Sequence, residues 1–131
     1  MKEPIWLDRA DCIAIHELML AQYGGASGLR SEALLESALG KPQNRFHYES
    51  GGLPVLAASY AAGIVLNHPF VDGNKRTGFM VAATFLEING LQFTASEEAV
   101  VEATVALAAG AITEAGYGEW LKANCRKARQ R

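Results

Sequence analysis

The chain has 131 residues, half of them hydrophobic and a fifth charged, a balance typical of a folded globular protein and too apolar for a disordered one. That length predicts a single domain over residues 1–131. The formal net charge of -2 gives no broad attraction to nucleic acid, and no stretch approaches the roughly 18 apolar residues of a membrane span, so we expect a cytoplasmic protein.

The first predicted helix begins after Asp8, which can cap it, and ends at the YGG sequence of residues 23–25. His16 lies beside its apolar stripe, where a lone histidine is more often a core or boundary residue than a ligand, so we assign it no chemistry. Helical spacing places four apolar residues on one face: Cys12, Ile15, Leu18 and Met19.

A short second helix is predicted for SEALLESALG, capped by Ser31 and ended by Gly40 just ahead of Pro42. The polar and aromatic stretch 44–52 is predicted to be a loop, and His47 within it is interpreted as a solvated residue.

The third and fourth helices are predicted on either side of the most polar short stretch in the chain. Pro54 suits the first turn of the third helix, VLAASYAAGIVLN, which is apolar nearly all round and is expected to form the buried centre. The fourth, KRTGFMVAATFLEI, should end at the pair Asn89-Gly90.

The last third of the chain predicts two more helices. LQFTA is too short to decide between a strand and an extended link, whereas Ser96 can cap a fifth helix that runs to Gly110. A last helix from about Thr113 should finish in the basic tail KANCRKARQR, a solvated helix end. The predicted fold is all-α, a compact bundle of about six helices with at most a minor extended piece.

The stretch HPFVDGNKRTG occupies residues 68–78, between the third and fourth predicted helices. Pro69 disfavours helical geometry at His68, so the third helix should end there. Asp72 and Gly73 form a turn pair, and the fourth helix should start at about Asn74.

This arrangement predicts a phosphate site. The N–H groups of residues 73–76 would lack intrahelical partners and bind an anion, with Lys75 and Arg76 adding two cations. Asp72 would repel a bare phosphate, so it makes better sense as a ligand of Mg²⁺ bound together with phosphate oxygens. His68 would then lie where it can accept a proton from an incoming hydroxyl.

Two other interpretations apply to the same stretch. The spacing of Gly73 and Gly78 matches a P-loop, but Phe79 and Met80 stand where Lys and Ser or Thr are needed, and a helix precedes the stretch instead of a strand. A polar helix-to-helix loop without chemistry accounts for the same residue types. The residues alone leave that interpretation and the phosphate site both open.

The same stretch resembles the signature of the Fic/Doc family, whose broad pattern is HPFx(D/E)GNxR. Lys75, where AMP-transferring Fic proteins carry a second glycine, makes it similar to the Doc (death-on-curing) branch, with its pattern HxFx(D/N)(A/G)NKRT. The helix with His16-Glu17 followed by YGG, the GLR segment after it and the FLEING end of the post-motif helix also resemble Doc proteins.

The resemblance implies roles for the motif residues. His68 would be essential to catalysis, Asp72 would bind Mg²⁺, and the backbone of residues 73–76 would form the anion hole. Side chains or amides of five residues would contact the nucleotide phosphates: Gly73, Asn74, Lys75, Arg76 and Thr77.

The resemblance also implies a toxin of a toxin–antitoxin module. Such proteins use ATP to phosphorylate a threonine of elongation factor Tu, which blocks translation, and a disordered antitoxin segment that folds on them holds them inactive. Phe79 replaces a further arginine of Fic AMP-transferases, and with Lys75 it favours phosphate transfer over AMP transfer. Pro69 and Gly73 are more Fic-like, which leaves AMP transfer as the alternative, beside a non-catalytic phosphate-binding module.

Overall fold

The structure, a computed structural model, describes residues 2–48 and 52–128. Within these ranges the chain forms six helices and a two-stranded sheet, so the predicted all-α class with a minor extended piece is confirmed. In chain order the elements are α1 (Arg9–Tyr23), α2 (Glu32–Tyr48), α3 (Leu53–Asn67), α4 (Asn74–Ile88), β1 (Leu91–Phe93), α5 (Glu97–Ala108), α6 (Glu114–Ala123) and β2 (Cys125–Lys127).

Helix α3 is the buried centre that its sequence predicts. It carries Pro54 in its first turn, and every residue from Leu56 to Val65 is buried. Helices α2, α4 and α6 pack around it. A helix that is apolar all round thus fixes the position of both elements that flank the HPFVDGNKRTG stretch.

Helix α1 begins and ends as predicted, but the prediction of its buried face is wrong for one residue. Asp8 forms a capping box with Asp11, each side chain accepting the other's backbone N–H at 2.9 Å. Leu18 was predicted to be buried and is 57% exposed, whereas His16 is buried. The buried face is therefore turned toward the histidine.

Helix α2 contradicts the predicted stop at Gly40. It continues through Gly40 and Pro42 to Tyr48, so residues 44–48 of the predicted loop are helical, and residues 49–51 lie outside the described ranges. Pro42 is buried, and α2 lies so close to α3 that a Cβ on Gly63 would be 2.9 Å from the Cα of Ala38. The free energy gained by packing α2 against α3 thus outweighs the cost of the backbone hydrogen bond that the proline removes.

The basic tail also differs from the prediction, because α6 ends at Ala123 and the tail forms a strand. β2 pairs antiparallel with β1 in the register Leu91↔Lys127, Gln92↔Arg126 and Phe93↔Cys125. LQFTA, whose sequence does not decide between a strand and an extended link, is partly a strand, because the tail satisfies its backbone groups. Residues 129–131 of the tail lie outside the described part of the chain.

The last two helices start where predicted, each with a side-chain cap. The Ser96 hydroxyl accepts the N–H of Ala99 at 3.2 Å, and that of Thr113 accepts the N–H of Gly116 at 3.0 Å. Across residues 2–48 and 52–128, none of the helices has the length and apolar character needed to cross a membrane.

A Gly78→Ala substitution is expected to destabilise the protein, because Gly78 lets α4 approach α3. An added Cβ would lie 2.6 Å from Cγ2 of Val65 and 3.2 Å from the carbonyl oxygen of Ala61. Overpacking of this kind costs about 1–3 kcal/mol, measured as a lower midpoint of urea unfolding. Gly40→Ala is the control, because nothing lies within 4 Å of its added Cβ and alanine favours a helix over glycine by about 0.5–1 kcal/mol. Equal midpoints for the two variants would contradict the close helix contact.

Candidate functional site

The HPFVDGNKRTG stretch forms a tight connection between α3 and α4, as predicted. His68 is the C-cap of α3, and its φ of 51° and ψ of 60° lie in the left-handed region. Gly73 is the N-cap of α4, with a φ of 75°. Two left-handed residues therefore reverse the chain and bring the end of one buried helix beside the start of the next.

The start of α4 supplies hydrogen-bond donors for an anion. In an α-helix the first N–H groups have no intrahelical partners, and no side chain caps this helix. The amides of Asn74, Lys75 and Arg76 are the donors of this first turn. Gly73 was expected to add a fourth, but its N–H donates to Oδ1 of Asp72 at 2.8 Å. An anion at this position meets three amides and the positive end of the helix dipole.

Asp72 is an exposed carboxylate held by two backbone donors. Its Oδ2 accepts the N–H of Ala26 at 3.1 Å, and its Oδ1 accepts that of Gly73. These two hydrogen bonds, of which the one from Ala26 has the larger effect, lower the pKa of the Asp72 carboxyl, and the charge of Arg76 adds to the shift. The carboxylate is thus ionised at neutral pH.

The carboxylate fits the predicted magnesium ligand. Each of its oxygens accepts one hydrogen bond and keeps a free lone pair, and the side chain is open to the cavity beside it. Among residues 2–48 and 52–128, no group of three or more His, Cys, Asp and Glu side chains could hold a metal ion without other ligands. Mg²⁺ at Asp72 would need phosphate oxygens and water to complete its coordination.

His16 contacts the buried side of residues 68–73, the loop between α3 and α4 that is called the motif loop below. It is buried, its ring stacks on that of Phe70 with 3.8 Å between centroids, and its Nε2 lies 2.9 Å from the carbonyl oxygen of Asp72. A carbonyl oxygen only accepts, so Nε2 carries the proton. The interpretation of His16 as a core residue with satisfied hydrogen bonds is confirmed. This part of the core lies directly behind the candidate site, because His16 contacts Phe70 and Asp72.

The Asn74 side chain and the Thr77 N–H have partners other than the predicted phosphates. The Asn74 side chain is buried, accepts the N–H of Phe70 at 3.1 Å and donates to the carbonyl oxygen of Phe70 at 3.0 Å. The N–H of Thr77 donates to the carbonyl oxygen of Gly73 at 3.0 Å, and its buried hydroxyl is absent from the cavity lining. Asn74 can therefore offer an anion only its backbone N–H. Thr77 does not line the cavity.

Lys75 and Arg76 are exposed and line the cavity, as the predicted phosphate cations should. The guanidinium carbon of Arg76 lies 4.4 Å above the ring of Tyr23, at the end of α1. Such a cation–π contact orients the guanidinium plane without using its charge for an ion pair. The positive charge at the start of α4 thus comes from two side chains of which one is held by an aromatic ring.

A second segment, residues 28–31, clamps the motif loop and was not identified from residue patterns. Leu29 forms an isolated antiparallel bridge with Phe70, the N–H of Val71 donates to the carbonyl oxygen of Gly28 at 3.0 Å, and the N–H of Arg30 donates to that of Pro69 at 2.7 Å. These are long-range contacts, for which local patterns carry no signal. Only the GLR resemblance pointed to this segment.

One cavity of about 920 Å³ joins these groups. That volume is within the range of small-molecule sites, about 300–1,000 Å³. Its polar end holds His68, Asp72, Lys75, Arg76 and Arg30. The part of the lining formed by α4, β1 and α5 is its other end, which is mostly apolar and also contains Glu97 and Thr104; its apolar residues are Phe79, Met80, Phe93, Val100, Val101 and Val105.

Residues interpreted as structural lie away from the cavity. His47 is exposed on α2 and is not part of the lining. Both cysteines, Cys12 and Cys125, are free. Burial raises the pKa of the Cys12 thiol to about 12, so that side chain behaves as a small apolar residue.

Fold and site together define a small helical protein in which an uncapped helix start, a histidine and a carboxylate line one cavity. The family model described as the Fic/DOC family matches residues 6–86. A relative named "Protein kinase doc", from Escherichia phage P1, is 33% identical over 113 residues, which cover 86% of this chain and 89% of the relative. "Toxin Doc" of Mycolicibacterium smegmatis is 38% identical over 93 residues, or 69% of this chain and 68% of that protein. The chain belongs to the Fic/Doc family.

Proposed function

We propose that this chain is the toxin of a toxin–antitoxin module and transfers the γ-phosphate of ATP to a threonine hydroxyl of elongation factor Tu, which blocks translation. The observation that carries the proposal is one cavity that joins His68, the ionised Asp72 and the amide donors of residues 74–76. The names of the two relatives, a protein kinase and a toxin, support the same activity.

In the proposed reaction the threonine oxygen attacks the γ-phosphorus, the bond from that phosphorus to the bridging oxygen breaks, and ADP leaves. The hydroxyl proton passes to His68, the general base. The amides of residues 74–76, with Lys75 and Arg76, neutralise charge on the phosphate oxygens. Little covalent chemistry is asked of the protein, because phosphoryl transfer depends mainly on positioning and charge.

Mg²⁺ is the proposed metal, and Asp72 is the residue that would hold it. A single carboxylate together with phosphate oxygens is a usual magnesium environment, and the lowered pKa of Asp72 keeps that carboxylate charged. When bound, the ion supplies further neutralisation of phosphate charge.

Phe79 favours phosphate transfer over AMP transfer. It stands one turn after Arg76 on α4, where an AMP-transferring relative would need a second arginine, and its ring packs against Phe93 with 5.1 Å between centroids. The position is thus part of the apolar wall and offers no charge to an α-phosphate. Lys75 meanwhile puts a cation where those enzymes carry glycine.

A cognate antitoxin segment is proposed to cover the apolar end of the cavity. Val101 and Val105, one helical turn apart on α5, are 58% and 49% exposed and line that end. A disordered segment that folds here as it binds would bury them and obstruct the adjacent polar end.

The decisive experiment supplies the protein with purified elongation factor Tu and with ATP labelled at the γ- or the α-phosphate. We expect label on the factor from the γ-position only, with the modified residue identified as threonine by mass spectrometry. The reaction should require Mg²⁺ and stop when a chelator is added.

Other outcomes lead to different conclusions. Label from the α-position would overturn phosphate transfer in favour of AMP transfer. No label from either position, while the protein still binds ATP, would favour a non-catalytic phosphate-binding module. Label on a different protein in a whole lysate would support the kinase activity and contradict the proposed target.

A further inference from the structure

His68 has a backbone conformation that needs external support. Among the described residues it is the one non-glycine residue with a positive φ. Residues with a Cβ are disfavoured there and persist in that region where surrounding contacts fix them. The His68 side chain is exposed and lines the cavity, so packing of its own ring does not supply that support.

Arg30 contacts the peptide groups on both sides of the His68 Cα. Its Nε donates to the carbonyl oxygen of His68 at 2.6 Å, and its Nη2 donates to that of Asn67 at 2.6 Å. The first oxygen belongs to the peptide that follows the Cα and the second to the peptide that precedes it. Fixing both planes fixes φ and ψ of His68, and therefore the direction in which its Cβ leaves the backbone.

The chemistry of these contacts suits a guanidinium. The last carbonyls of a helix lack intrahelical partners and carry the negative end of the dipole, so a charged donor is favoured there. A planar fork also loses less freedom than a flexible ammonium when it makes two bonds at once. Arg30 is itself anchored, because its N–H and that of Ser31 both donate to the carbonyl oxygen of Pro69, at 2.7 and 3.0 Å.

We propose that Arg30 is a positioning residue that holds His68 in its left-handed conformation and so aims the imidazole at the substrate hydroxyl. The consequence for catalysis rests on the proposed function, in which His68 is the base. Nε and Nη2 of Arg30 already donate to carbonyl oxygens at the end of α3. The role of Arg30 therefore differs from that of Lys75 and Arg76, the proposed phosphate cations.

The kinetic test compares Arg30→Met and Arg30→Lys with Arg9→Met, which removes an arginine paired with Glu32 at the surface. We expect Arg30→Met to lower kcat about tenfold to a hundredfold, as supporting residues of reactive groups do, with the KM for ATP unchanged. Arg30→Lys should restore part of the rate by keeping one donor, and Arg9→Met should match the wild type. A raised KM with unchanged kcat would overturn the proposal and make Arg30 a phosphate ligand.

A double-mutant cycle tests whether Arg30 acts through His68. In a His68→Ala background, Arg30→Met should cause no further loss of rate, because the base that it positions is gone. A further loss of about tenfold would mean that Arg30 contributes by a separate route, which would overturn the proposal.

A readout without catalysis separates this inference from the proposed function. The chain has three histidines, so isotope-labelled histidine gives three backbone signals in an NMR spectrum, assigned by substitution. Arg30→Met, or Arg30→Gln if that variant does not fold, should shift the His68 signal and leave those of His16 and His47 in place. An unmoved His68 signal would overturn the positioning role. If the wild-type protein transfers no label but the Arg30 substitution still shifts the His68 signal, the positioning role is supported and the proposed function is contradicted.

Discussion

Replacing His68 by alanine is expected to lower phosphate transfer about 10²- to 10⁴-fold, the usual contribution of a positioned general base. The residue lines the cavity beside the start of α4, where the phosphates are proposed to lie. Without the imidazole, the threonine hydroxyl must lose its proton to water during the attack. The measurement is the single-turnover rate of label transfer from ATP to elongation factor Tu.

His47→Ala is the matched control, because His47 is exposed on α2 and outside the cavity lining. It should transfer phosphate at the wild-type rate. ATP binding should survive in His68→Ala, since the amides of residues 74–76 and the two cations remain. A His68→Ala protein that keeps its full rate would remove His68 from the role of base, whatever its binding properties.

The stability of the His68→Ala variant separates catalysis from folding. Alanine also carries a Cβ, so the left-handed backbone at residue 68 remains disfavoured, and Arg30 can still donate to the two carbonyl oxygens. The midpoint of urea unfolding should therefore stay near that of the wild type. A large drop in rate at unchanged stability is the signature of a lost reactive group.

Local rules predicted the parts of the site that depend on neighbours in sequence. Pro69 ended α3 at His68, and the Asp72-Gly73 turn set the start of α4, because proline and glycine restrict the backbone within one or two residues. The prediction of free N–H donors at the start of α4 followed from its first turn alone. These conclusions needed no knowledge of the tertiary structure.

Contacts between distant segments account for the rest. The stop expected at Gly40 failed because α2 packs against α3, and the tail became β2 because a strand lay beside it. Arg30, between α1 and α2, and His16, on α1, support the site across 38 and 56 residues of sequence. A propensity or a periodicity describes one segment, so it cannot reveal which carbonyl a remote side chain will meet.

Asn74 illustrates how one residue type allows two roles. An asparagine at a helix start can reach a phosphate oxygen or hydrogen-bond to the backbone. The structure commits both its oxygen and its nitrogen to Phe70, which ties the motif loop to α4. The same loop is held from beneath by His16, through stacking on Phe70. The start of α4 thus rests on a buried support formed by Phe70 and Asn74 of the motif and by His16 of α1.

Replacing Asp72 by asparagine should lower phosphate transfer about a hundredfold at a fixed Mg²⁺ concentration, because a metal contributes several kcal/mol of charge stabilisation and each 1.36 kcal/mol is tenfold in rate. Asparagine keeps the size of the side chain and one oxygen, but not the charge that is proposed to hold the cation. Raising the Mg²⁺ concentration should recover part of the rate. The control is Glu87→Gln, an exposed carboxylate in the last turn of the same helix.

The pH dependence of Mg²⁺ binding gives the same assignment an independent check. Hydrogen bonds from Ala26 and Gly73 lower the pKa of Asp72 beneath its usual value of 3.8. A lowered pKa means that the carboxylate stays charged as the pH falls through the range in which an ordinary aspartate takes up a proton. Followed by the carboxyl NMR signal, the titration midpoint of Asp72 should therefore lie below 3.8 without metal and fall further when Mg²⁺ and ATP are added. A midpoint that Mg²⁺ leaves unmoved would mean that the cation binds elsewhere, and the proposed role of Asp72 would be lost.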